Sequence, residues 1–195
     1  MTDQPSREER FIAFLEGLQR RGDRGALAAL RRGLGKPPGT VLSMAPFVEP
    51  WVQSQRERPC YYLVAALFAS HPAAERAEPE HQQPTVRPNL GSVFDRIVNA
   101  YVRGGTSRED ALKRVERRFT ALLNAHSEDL PRHLRHAISL ARSQAVPVDY
   151  VALLRDLRYW DSDDRRVQQR WATSFWGREA APGTDETDAE VQDEG

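Results

Sequence analysis

An all-α fold, organised as two small helical bundles joined by a loop, is predicted by three features of the sequence. Apolar residues recur at three- and four-residue spacing along most of the chain, and caps or Gly/Pro breaks bound each stripe. No run alternates apolar and polar residues with the period of two that a half-buried strand requires. No repeat of roughly 20–50 residues is visible, which argues against a solenoid or a propeller.

The first helix is expected over about Ser6 to Arg21, with Phe11, Phe14, Leu15 and Leu18 inward. Gly22 ends it, and Asp23 is placed to cap a second helix carrying Ala26, Leu27, Leu30 and Leu34. Arg31 and Arg32 fall near the C-terminus of that helix, where cations complement the helix dipole. The run from Gly35 to Gly39 is a break. Residues 40–52 contain Pro46 and Pro50 beside Phe47, Val48 and Trp51, which predicts a short helix or turn laid on the core.

A helix over Glu57 to Ser70, with Pro59 tolerated in its first turn, is apolar nearly all round and so central to the first half. His71-Pro72 stops it. Residues 71–89 are proline-rich and aperiodic, which predicts a loop or linker. The next helix carries Phe94, Ile97, Val98 and Tyr101 on one face and ends at Gly104-Gly105. The expected division therefore gives an N-terminal bundle at 1–103, a C-terminal bundle at 104–177 and a disordered acidic tail at 178–195.

Two consecutive amphipathic helices follow, Ser107 to about Ala125 and Ser127 to about Ser143, the first started by Thr106 and Glu109 at capping-box spacing. Ala111, Leu112, Val115, Phe119, Leu122 and Leu123 fall within an arc of about 120°, with Lys113, Arg114, Arg117 and Arg118 roughly opposite. In the second, Leu130, Leu134, Ala137, Ile138 and Ala141 oppose Arg132, Arg135, His136, Ser139 and Arg142. Such paired cationic faces suit a polyanion, and they equally suit the solvated side of any helix. Asp149 opens a helix with Tyr150, Leu153, Leu154, Leu157 and Trp160. A last helix is expected from about Ser162, with Asp163 and Asp164 at its positive end.

The formal net charge of zero conceals an asymmetry: residues 178–195 carry one arginine against seven acids, a net −6, and the remainder is +6. The basic residues are arginine except for Lys36 and Lys113. Arginine's planar fork suits phosphate, and a genome rich in G and C accounts for the bias as well. Cys60 is the single cysteine, which excludes an intramolecular disulfide and a cysteine-based zinc site. The polar first residues and an apolar run of only ten residues, 60–69, predict neither a signal peptide nor a membrane span, and so a cytoplasmic protein.

Chemistry is hard to find. Gly33 to Lys36 lacks Walker spacing, His133 and His136 lack an acidic third ligand nearby, and neither Ser43 nor Cys60 has an adjacent base. No cofactor, metal or catalytic residue is expected. Trp160, Trp171 and Trp51 fit core stripes, while Trp176 and Tyr159 are candidates for base stacking or packing. The basic residues left without a structural role are Arg56, Arg58, Arg96, Arg114, Arg117, Arg118, Arg132, Arg135 and Arg142.

From about Phe11 to Phe175 the chain resembles the CasB family, the small subunit of the type I-E CRISPR interference complex Cascade. The segments Leu27 to Gly35, Tyr62 to Ala69, Asn89-Leu90-Gly91, Val115 to Leu123, Val148 to Leu157 with Trp160, and Gln169 to Phe175 carry it, through their order and spacing. The resemblance implies two α-helical bundles without an active site, and two copies of the chain set head to tail against the backbone subunits that hold the guide RNA. Its partners would be other Cascade subunits, backbone and large, together with guide RNA and target DNA. Its role would be to hold the displaced strand and lock the R-loop before a separate nuclease-helicase cuts. By position, Arg117 and Arg118 match the family's basic pair before the Phe, Arg135 matches the basic residue after Leu134, and Arg31 and Arg32 match a first basic pair. His136 stands where the family often has a second arginine, and histidine is only partly charged at neutral pH. A structural spacer touching only protein is the competing expectation. A helix-turn-helix regulator fits less well, because the 123–131 connection is not the short Gly-containing turn of that motif.

Overall fold

The computed structural model describes residues 4–71 and 88–177. The expected loop at 71–89 therefore falls, but for its ends, outside the described residues, and so does the expected disordered tail at 178–195. The described residues form helices and turns, with no strand among them. In chain order the helices are α1 (Arg7–Arg20), α2 (Arg24–Arg31), α3 (Ala45–Val48), α4 (Arg58–Ser70), α5 (Leu90–Arg103), α6 (Arg108–Leu123), α7 (Leu130–Ser143), α8 (Tyr150–Leu157) and α9 (Arg166–Trp176). Single 3-10 turns at Leu42–Met44 and Glu49–Trp51 flank α3, so residues 40–52 fold as the short helix or turn that their prolines predict.

Helix starts follow local chemistry. Ser6 and Glu9 form a reciprocal capping box on α1, and Asp23 accepts from Ala26 N–H at 2.9 Å to start α2. Helix α2 ends at Arg31, one turn short of the expected Leu34, and three helix starts also differ from expectation. The cap of α6 is Ser107, which accepts from Asp110 N–H at 3.1 Å, rather than Thr106 with Glu109. Gly105 takes φ +89° and moves the turn one residue along. Helix α7 begins at Leu130, not Ser127, because Pro131 lacks an N–H and is confined to the first turn. Helix α9 begins at Arg166, because Arg165 sits in left-handed conformation at φ 48°.

The helices pack in two interleaved groups. Helix α4, buried nearly all round as predicted, packs against α2, α3 and α8, and α8 also packs on α1. Helix α5 packs against α6, α7 and α9. The packing thus does not follow the expected division after residue 103: α5 precedes it but joins the later helices, and α8 follows it but joins the earlier ones. The connection after α5 is too short to let it leave α6, and the stripe of Tyr150, Leu153, Leu154 and Leu157 fits the face that α4 and α1 leave open. A continuous apolar core unites both groups. An aromatic cluster of Phe94, Phe119, Phe175 and Trp176 fills the second, with ring centroids 4.6–6.4 Å apart.

Gly91 sets the distance between α5 and α9. A Cβ at that position would lie 2.0 Å from the Trp171 carbonyl oxygen, so two backbones touch where only glycine fits. Asn89 Nδ2 donates to Ser174 Oγ at 2.8 Å beside this point. Because backbone cannot rotate away as a side chain can, Gly91→Ala is expected to cost about 3 kcal/mol. Urea unfolding checks this; a loss under about 0.5 kcal/mol would mean the helices separate freely.

Candidate nucleic-acid interface

The short turn from Gly104 to Ser107 folds α6 back along α5 as a helical hairpin. Val115, Phe119 and Leu122 turn into the core, which leaves the opposite side of α6 to solvent. There Lys113, Arg114, Arg117 and Arg118 surround Tyr101, from the last turn of α5, in an open depression of about 370 Å³. The Arg114 guanidinium lies over the Tyr101 ring, 5.9 Å from its centroid. Lys113 Nζ donates to Glu109 at 2.6 Å across one turn. Arg117 and Arg118 are exposed and have no acidic partner among the described residues. Four cations on successive turns around one aromatic ring can meet phosphates and one flat base face without any base-edge readout.

A second, larger cleft of about 910 Å³ lies between the Gly35–Gly39 loop, the start of α4, the start of α7 and the end of α8. Arg56, Arg132 and Arg135 line it together with Lys36, Arg158 and His136, but so do Glu128 and Asp161, and much of its wall is apolar. Arg132 lies 3.8 Å from Asp129, an exposed pair of little energetic weight. Cys60 also faces this cleft, and burial pushes its thiol up to about 11, so it is no nucleophile at neutral pH.

The cationic faces of α6 and α7 therefore do not merge into one depression; no described residue lines both. Three of the singled-out arginines are engaged inside the fold. Arg31 Nε donates to Ala69 O at 3.1 Å and Arg142 Nη1 to Ser70 O at 3.2 Å, so both satisfy carbonyls that the end of α4 leaves open. The dipole that Arg31 complements is that of α4 as well as its own helix. Arg58 pairs with Glu49 at 2.6 Å, and Tyr62 Oη donates to the same carboxylate at 2.7 Å. Arg32 and Arg96 are exposed, without a partner among the described residues, and line neither cavity.

Trp176 is a packing residue. It lies 5.3 Å from Phe119, and its Nε1 donates to Glu116 at 3.2 Å. Tyr159 is 52% exposed, with the Arg166 guanidinium 5.5 Å from its ring. Among the described residues no group of three or more His, Cys, Asp or Glu side chains is placed to hold a metal ion. No described helix is long and apolar enough to cross a membrane. Sequence reasoning left out Tyr101, Lys36 and Arg158; Tyr101 was legible as the polar-tipped end of the α5 stripe.

A small helical protein with a cationic depression on the outer face of a helical hairpin is the class that fold and surface define. Residues 26–176 match the family model of the CRISPR-associated protein Cse2, and the chain belongs to the Cse2 (CasB) family. A Cse2 protein of Thermus thermophilus is 35% identical over 178 residues, covering 89% of this chain and 92% of that one. The crystal structure of M. ruber CasB superposes with a TM-score of 0.70 at 34% identity, over 91% of this chain and 96% of the other. A chain of a CRISPR RNA-guided surveillance complex superposes with a TM-score of 0.68 at 26% identity, over 87% and 91%.

Proposed function

We propose that the chain is the non-catalytic small subunit of a CRISPR RNA-guided surveillance complex of the Cascade type, alongside the complex's backbone and large subunits and a second copy of itself. There it binds nucleic acid without sequence specificity and stabilises the guide RNA–target DNA R-loop, the displaced strand included. The observation that carries this is the depression of Lys113, Arg114, Arg117 and Arg118 around Tyr101. Exchange of a DNA duplex for an RNA–DNA heteroduplex is nearly balanced, so a few backbone contacts that prevent reannealing decide how long the loop stays open. Cations that meet phosphate, and a ring that meets any base, do this whatever the sequence.

A structural spacer touching protein alone is the second reading, favoured by the mixed apolar and charged wall of the larger cleft. The variant R114A/R117A/R118A separates the two. With normal assembly, a shortened R-loop lifetime supports the nucleic-acid role, and an unchanged lifetime overturns it. Absence of the variant from the purified complex supports the spacer.

A further inference from the structure

We propose that the acidic segment 178–195 seats on the cationic depression of α6 when no nucleic acid is bound there. The described chain leaves α9 at Gly177, immediately after Trp176, whose indole is fixed on α6 by Phe119 at 5.3 Å and Glu116 at 3.2 Å. The segment therefore departs beside the helix that carries the depression. Around α6, Lys113 lies about 60° and Arg117 about 100° beyond Glu116. Reaching them takes a few residues of a stretch that spans up to about 60 Å when extended. Its charge is −6, and it meets four cations, three of which, Arg114, Arg117 and Arg118, have no acidic partner among the described residues. Tethering gives its carboxylates an effective concentration on the order of millimolar at this site. The acids thus take the place of phosphates, and only a partner that offers denser phosphate, such as a single strand held by the rest of a complex, displaces them.

The consequence for nucleic acid rests on the function proposed above, and two measurements on the full chain keep the two apart. Lys36 and Lys113 are the only lysines, so zero-length carbodiimide coupling of carboxylates to amines reports the seat directly. Peptide mapping is expected to join 178–195 to Lys113 in low salt and to show no such product in high salt. Coupling to Lys36, which lines the other cleft, or to neither lysine overturns the proposal. In parallel, a chain truncated after Gly177 is expected to bind a dye-labelled oligothymidylate roughly five- to tenfold more tightly than the full chain at low salt. The difference should vanish near about 0.5 M salt, where screening is short-ranged. Coupling to Lys113 with unchanged oligonucleotide affinity keeps the seat and removes the nucleic-acid reading of the depression.

Discussion

Replacing Glu57 by alanine is expected to destabilise the protein by about 4 kcal/mol, because it strips the common acceptor from a nearly buried ion network. Glu57 lies at the N-cap of α4 and is 6% exposed. Arg7 donates to its two oxygens with both terminal nitrogens, each at 2.7 Å. The N–H groups of Gln53 and Ser54 donate to Oε1 at 2.5 and 3.2 Å, and Arg158 Nη2 lies 3.5 Å from Oε2. Arg158 in turn pairs with Glu8, and Arg155 donates to Glu9 at 3.0 Å. One carboxylate thereby ties α1, the turn before α4 and the end of α8. In Glu57→Ala the Arg7 guanidinium loses its two-pronged acceptor and the N–H groups of Gln53 and Ser54 lose theirs, while Arg158 is left with Glu8 alone. For a chain of this size the effect corresponds to about 10 °C in Tm.

The same network fixes an acid response. Burial disfavours the Glu57 carboxylate, but the hydrogen bonds from Arg7 and Gln53 N–H and the nearby guanidiniums outweigh it and hold its pKa below the usual carboxylate range. A depressed folded-state pKa contributes stability that is complete above the unfolded value of about 4.3 and is lost as pH falls through the folded value. Urea unfolding between neutral pH and pH 3 should show a steep acid limb, flattened in Glu57→Gln. An equal slope in both would mean that other carboxylates carry the acid sensitivity.

Legibility in the sequence extends to whatever depends on residues a few positions apart. Stripes at helical spacing placed every described helix of three or more turns, and Asp23 and Asp149 announced their caps. Boundaries slipped where two neighbours compete for one role, as Thr106 and Ser107 do, or where one residue takes unusual backbone, as Arg165 does. Nothing local could show that Glu57 meets Arg7 across 50 positions, or that Gly91 is held against the Trp171 carbonyl. Those pairings belong to helix packing, and so does the docking of α8 among the earlier helices.

The candidate site divides along the same line. The arc on α6 was visible because its cations sit on one helix, at three- and four-residue spacing. Which arginines are left over was not. The guanidiniums of Arg31 and Arg142 end on α4 carbonyls, and that of Arg58 on Glu49, because each finds an acceptor on another element. Sequence counts a charge but not the partner that neutralises it. It also assigned Tyr101 to the buried stripe, whereas the half-buried ring offers its face to Arg114.

That distinction makes R114A/R117A/R118A the most informative functional variant. Its three guanidiniums lie outside the core, and what their removal takes from the fold itself is the stacking of Arg114 on Tyr101, worth under about 1 kcal/mol. The fold should therefore survive, and circular dichroism with urea unfolding checks that it does. If each arginine meets one phosphate, removing three flattens the plot of log affinity for single strands against log salt by about 2. At roughly 1 kcal/mol per phosphate contact, near-physiological affinity falls about a hundredfold, and the R-loop lifetime shortens in the same direction. The contrasting variant is R31A/R142A, which removes as much formal charge per residue but from guanidiniums occupied on α4. It should lower stability by about 1–2 kcal/mol and leave the salt slope unchanged. Equal slopes for both variants would show that net charge, rather than the depression on α6, governs binding.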